Sequence, residues 1–206
     1  APDFIAKVGP KSKMLISIFF LLGIAIPVAF ILLKDMLRTT ILDRADVEKQ
    51  TKLPILGVLG HKKDEGAVID HTSNANANSE LFRLMRAKLQ FALNHPKEKV
   101  ILVTSTESGE GKTFVSINLA VSLSLTEKKV LILGMDLRKP MLAKHFNISM
   151  KEGVTSFLSG ISDDFREFIV TSKDYKNLDI LAGGIIPPNP NELIMRDRMD
   201  FMITEL

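Results

Sequence analysis

The chain has 206 residues, 46% of them hydrophobic and 25% charged, with a formal net charge of +3. That composition excludes disorder over the whole chain, and the absence of Cys excludes a disulfide framework and any thiolate metal site. His61, His71, His95 and His145 show no metal-ligand spacing, and one Tyr with no Trp leaves few platforms for stacking nucleic-acid bases, so no nucleic-acid partner is expected.

Residues 1–13 flank the first long apolar run. Met14 to Leu33 (MLISIFFLLGIAIPVAFILL) carries no charge over 20 residues, about the 30 Å needed to cross a bilayer core. The run is too long for a signal peptide, no small-residue cleavage site follows it, and its apolarity on all sides suits lipid better than a one-sided core. Pro27 is expected to kink this helix, a tolerated feature in membranes. Lys7, Lys11 and Lys13 before it balance Lys34, Arg38 and Arg44 after it, so charge leaves the orientation open.

Residues 34–79 read as a juxtamembrane segment and linker. The basic stretch after the span either rests on anionic headgroups or is a solvated helix. Lys52 to Gly60 (KLPILGVLG) is either a strand or a docking segment, and residues 61–79, with their Asn-Ala repeat, read as a flexible tether. The soluble part, 80–206, opens with a helix capped by Ser79, whose apolar face is Leu81, Leu84, Met85, Leu89 and Ala92. Glu80, Arg83 and Arg86 lie three apart on another face; by spacing alone Glu80 and Arg83 form a local ion pair.

Val100 to Val103 is a β-branched apolar run, read as a buried parallel strand. It leads into TSTESGEGKT and then a helix with Val115, Leu119, Ala120, Leu123 and Leu125 as apolar positions. Strand, glycine-containing loop and helix are the setting of a nucleotide phosphate loop spanning Thr106, Glu107, Ser108, Gly109, Glu110, Gly111, Lys112 and Thr113. The glycines let backbone N–H groups turn toward an anion, Lys112 supplies a point charge, and the Thr113 hydroxyl is placed to ligate Mg²⁺. The loop pattern wants Gly at 106, where Thr stands.

Val130 to Leu133 is the next strand, and Asp136 follows at its carboxyl end, where α/β sheets bind ligands. Its carboxylate either holds Mg²⁺ or accepts a proton, or else caps a short helix at Pro140 to Phe146. Beyond lie a short helix in GVTSFLSG, an acidic DDFREF patch, a third strand at Leu178 to Leu181, and a last helix from Asn189 or Asn191 through Leu206. The fold class expected is α/β, a P-loop NTPase-type parallel sheet preceded by one transmembrane helix.

These features resemble the bacterial protein-tyrosine kinases fused to polysaccharide co-polymerases. VGPKSK resembles the tail of that family's periplasmic segment, Met14 to Leu33 its second membrane helix, and LPILG the entry to its cytoplasmic domain. Glu80, Arg83 and Arg86 match an E-x-x-R-x-x-R motif that the resemblance assigns to contacts between subunits of a ring. TSTESGEGKT resembles the Walker A loop, LILGMDLRKP the second Walker motif, and LAGGIIPPNPNELI the loop and helix that follow. The second motif normally carries two acids, but Gly134 stands at the first, leaving Asp136 alone.

The resemblance implies an inner-membrane, ATP- and Mg²⁺-dependent tyrosine autokinase with its kinase part in the cytoplasm. Its partners would be its own copies, the polysaccharide polymerisation and export machinery, and a counteracting tyrosine phosphatase. Lys112 and Asp136 would carry catalysis, Thr113 and Asp136 the metal, and residues 106–113 the nucleotide. Residues 1–206 resemble a segment of a longer protein, with the Walker B acid and tyrosine tail expected beyond them and an incomplete sheet within. Two rivals stand: an ATP-binding scaffold that sets chain length, and a partitioning-type ATPase. The second rival requires a signature Lys where Glu107 stands.

Overall fold

The computed structural model describes residues 12–37, 41, 43–60, 77–93 and 100–206. The chain divides into two compact units, Ala1–Leu53 and Pro54–Leu206. In the first, helix α1 runs Ser12–Met36, passing through Pro27 without interruption. The stretch Lys13–Met36 is long and apolar enough to cross a membrane, and none of its side chains is buried in the protein. The preceding flank lies outside the described residues, apart from Ser12 and Lys13 in α1. A second helix, α2 (Arg44–Gln50), starts where the Asp43 carboxylate accepts the Asp46 N–H at 3.0 Å. An exposed Arg44–Glu48 pair at 2.7 Å reinforces it, worth roughly 0.3–0.5 kcal/mol at this i,i+4 spacing.

In the second unit, residues 54–60 form no strand. They dock instead: Leu56 and Leu59 pack on a cluster of Phe82, Met85 and Leu119. Lys88 Nζ donates to the carbonyls of Leu56 at 2.9 Å and Ile55 at 3.4 Å, satisfying backbone that lacks a ladder. The tether expected at 61–79 lies outside the described residues as far as 76, and its last three residues are already helical. Helix α3 spans Ala77–Ala92, so Ser79 is buried within its first turn and is not the cap. The buried stripe is Phe82, Met85 and Leu89, whereas Leu84 is exposed.

Helix α4 (Lys112–Ser124) is buried on two sides, which is why its apolar positions exceed a single face. Leu119 faces α3, with Phe114, Val115 and Leu123 alongside. Ile117, Ala120 and Val121 face a three-stranded sheet of β1 (Val130–Leu133), β2 (Ile169–Thr171) and β3 (Leu178–Leu181). The strand order is β1-β3-β2. β1 pairs parallel with β3, Val130 opposite Leu178, but β2 pairs antiparallel with β3, Ile169 opposite Leu181. The sheet is therefore mixed, not purely parallel, because β2 and β3 are joined by a short turn and not by a crossover helix.

Leu178 and Ile180 turn toward α4, while Leu181 turns to a second core with Leu137, Val154, Phe157, Leu158, Phe165, Leu193 and Met202. That core is supplied by α6 (Val154–Leu158), a 3₁₀ turn at Phe165–Phe168, α7 (Pro190–Ile194) and α8 (Asp197–Glu205). A four-residue helix, α5 (Leu142–His145), closes the first core with Leu142. The single terminal helix expected from Asn189 onward is two helices. Arg196, in extended conformation, breaks it, and its guanidinium donates to the Leu158 carbonyl at 3.2 Å.

Val100 to Thr104 is not a strand: β1 pairs on one edge only, with β3, and Val100 and Leu102 are 71% and 83% exposed. A parallel strand exists through its ladder, and none of the described strands is in register with this segment.

Ile180 is fully buried in the central strand, beneath α4. Ile180→Ala should cost about 2–5 kcal/mol, seen as a lowered urea midpoint with an unchanged slope.

Candidate functional site

The phosphate-loop residues lie between the Val100–Thr104 segment and α4. Gly109 and Gly111 adopt φ of 96° and 97°, left-handed values that a side chain would resist, and Gly111 is the residue from which α4 begins. No side chain caps α4. Its first N–H groups therefore have no intrahelical partner, and they concentrate the positive end of the helix dipole on the loop.

Side chains of the loop bind one another. Lys112 Nζ donates to Ser105 Oγ at 3.0 Å and to the Glu107 carbonyl at 3.4 Å, and Ser105 Oγ donates to that same carbonyl at 2.8 Å. The Glu110 carboxylate accepts the Glu107 N–H at 3.0 Å. This hydrogen bond, joined by one from Ser105, holds the Glu110 carboxyl below its ordinary range. Ser105, within the TSTESGEGKT stretch but ahead of the expected nucleotide residues 106–113, thus joins the loop's hydrogen bonding.

Asp136 emerges just after β1, as expected. Its Oδ1 accepts the Lys139 N–H at 3.0 Å, closing a turn, and it does not cap α5, which starts after Met141. Lys139 Nζ comes within 3.5 Å of Ser108 Oγ, so the second motif reaches the phosphate loop. Arg138 points elsewhere, to Asn191 Oδ1 at 3.2 Å.

Gly134 is constrained by close packing. A Cβ there would lie 2.9 Å from the Gly183 backbone nitrogen and 3.3 Å from Leu142 Cδ2. Gly134 N–H in turn donates to the Leu181 carbonyl at 2.9 Å. The Ala182-Gly183 segment it abuts also accepts from Val154 and Thr155, at 2.9 and 3.0 Å, satisfying the first N–H groups of α6. An acid at 134 has no room on this backbone.

Glu80 and Arg83 form a pair at 3.1 Å on the exposed side of α3. Arg86 turns inward: its Nη1 donates to the Ser122 carbonyl at 2.5 Å and contacts Ser122 Oγ at 3.3 Å, tying α3 to α4.

Residues 101–186 match the CobQ/CobB/MinD/ParA nucleotide-binding domain. The crystal structure of the chimerical protein CapA2B2 is 34% identical, with a TM-score of 0.68 over 79% of this chain and 70% of that one. The BceF tyrosine kinase domain is 27% identical, with a TM-score of 0.69 over 80% of this chain and 71% of that one. The tyrosine-protein kinase ptk of Acinetobacter johnsonii is 26% identical across 100% of this chain. The chain belongs to the bacterial tyrosine-kinase family. It spans 30% of the length of ptk. The match to the nucleotide-binding domain includes residues 106–113, and ATP is the nucleotide its kinase relatives imply.

For a divalent metal, the oxygen donors at hand are the Thr113 hydroxyl and the Asp136 oxygen not engaged by Lys139. Hard oxygen donors, one or two per ion with the rest from phosphate and water, suit Mg²⁺, so this set fits it.

Two outcomes follow. Glu110 should titrate with a midpoint below 4.5 in a carboxyl NMR titration of the nucleotide-free protein. Because its folded pKa is depressed, the loop closure it provides persists at neutral pH and is lost as pH falls through that midpoint. Gly134→Asp should lower the melting temperature by several degrees, for roughly 1–3 kcal/mol of overpacking, and should not raise activity.

Proposed function

We propose that the chain is the membrane helix and nucleotide-binding part of an ATP-dependent protein-tyrosine autokinase that regulates exopolysaccharide or capsule polymerisation and export. The observation that carries this reading is the phosphate loop opening α4, with Lys112 already folded against it, in a chain of the bacterial tyrosine-kinase family. α1 anchors the protein in the inner membrane, with residues from Lys34 onward in the cytoplasm, where ATP is found. The tyrosine acceptor belongs to a neighbouring copy in a ring that uses Glu80, Arg83 and Arg86. The polysaccharide machinery and an opposing tyrosine phosphatase are the other partners.

In this reading the chain acts by positioning and charge. Phosphoryl transfer proceeds through a loose transition state in which the protein's task is to align and neutralise. The loop amides and the end of α4 face the phosphates, and Lys112 exchanges its loop partners for phosphate oxygens. Thr113 and Asp136 would hold Mg²⁺, which when bound would supply Lewis-acid neutralisation of phosphate charge. Nothing at 134 can take the proton of an incoming hydroxyl; Asp136 is the acid left in this motif. General-base assistance is worth roughly 100–10,000-fold in rate, so its weakening has a large cost.

Gly134 also favours a second reading, a scaffold whose ATP binding sets chain length without phosphoryl transfer. Labelled ATP separates the two in the full-length protein. Transfer to tyrosine that Lys112→Met abolishes supports the kinase, while binding with no transfer supports the scaffold. Undiminished phosphotyrosine in Lys112→Met would refute the site.

A further inference from the structure

The charge of the loop is short of what a triphosphate needs. Glu107 and Glu110 place two carboxylates on it against the single ammonium of Lys112. The nucleotide adds about four more negative charges near neutral pH, of which a bound Mg²⁺ would offset two, so net repulsion between the exposed loop carboxylates and the phosphates persists, screened by solvent. A second protein cation would relieve it, and one stands beside the loop. Lys139 Nζ stands 3.5 Å from Ser108 Oγ, contributed from a different element.

Its placement is built. Leu137 is 2% exposed and anchors the segment in the core, Pro140 is buried behind, and the Asp136 carboxylate fixes the Lys139 backbone N–H at 3.0 Å. Two buried residues thus hold a short turn whose lysine projects over the loop, while Arg138 beside it is committed to Asn191. Ser108 is a weak partner for an ammonium, so giving it up for a phosphate oxygen costs little and gains a charge-assisted bond.

We propose that Lys139 is a second phosphate-binding cation of the nucleotide site, reaching it from the turn after β1. This rests on the reading of residues 106–113 as the nucleotide loop. Lys139 would offset the carboxylates of Glu107 and Glu110, and its contribution would grow with the number of phosphates.

The test is fluorescent-nucleotide binding to the detergent-solubilised full-length protein, for ATP and ADP at low and high salt. Lys139→Ala should weaken ATP binding by about tenfold at low salt and ADP binding by less, and the difference should shrink as salt screens it. Lys139→Arg keeps the charge and should stay within about twofold of the parent. Lys112→Met is the control and should abolish binding of both nucleotides. If it does and Lys139→Ala binds ATP as the parent does, Lys139 is only a solvated surface lysine and the inference fails alone. Equal losses for ATP and ADP, indifferent to salt, or an arginine variant as weak as alanine, would likewise overturn it. If Lys112→Met binds ATP normally, the nucleotide-loop reading itself falls.

Discussion

An α-helix starts with backbone N–H groups that nothing inside it can satisfy, and the start of α4 leaves them facing a loop without a side-chain cap. The demand for negative charge at that point organises the region. Two left-handed glycines bend the chain so that the amides stay accessible, and Glu110 reaches back to the Glu107 N–H. That carboxylate serves a loop amide, and the first N–H groups of α4 stay without a side-chain cap. Exposure makes this hold weak, which is what a ligand site needs: an internal partner strong enough to keep the loop shaped, and weak enough for a polyphosphate to displace.

The same economy of space governs the second motif. Gly134, Gly183 and the start of α6 meet backbone to backbone, and the carbonyls of Ala182 and Gly183 serve the first amides of α6. A side chain at 134 would push these apart and unsatisfy several N–H groups together. The missing acid is thus part of how β1, the loop after β3 and α6 close on one another. Its chemical consequence is that this motif contributes only one carboxylate, Asp136, beside the loop.

Much of this was legible from residue order, where the signal was local. The loop glycines, Lys112, β1, β3 and Asp136 announce themselves by composition at fixed offsets, and the structure places them accordingly. Features that depend on partners distant in sequence did not show. The apolar stripe of α3 falls on Phe82 because residues 54–60 and α4 both pack there, a fact no periodicity carries. Val100 to Val103 has the composition of a strand, but a strand needs neighbours in register, and apolarity says nothing of those. β2 was missed because only Ile169, Val170 and Thr171 form it, and the antiparallel pairing with β3 makes the sheet mixed. Ser105 and Lys139 lay inside the two quoted motifs, but their contacts escaped because a serine and a surface lysine carry no pattern of their own.

Arg86 illustrates how a motif can serve the fold and still matter to its neighbours. By spacing it belongs with Glu80 and Arg83, yet its guanidinium is engaged by Ser122 near the far end of α4, the helix that begins at the phosphate loop. Replacing it removes a tie between two helices and leaves the Ser122 carbonyl to find another donor, a cost that has nothing to do with contacts between copies. Glu80 and Arg83 pair with each other at the surface, and a pair so exposed contributes little to folding. A substitution at Glu80 therefore tests the proposed assembly role more cleanly, whereas a change at Arg86 mixes it with a loss of packing and cannot by itself assign the motif a role.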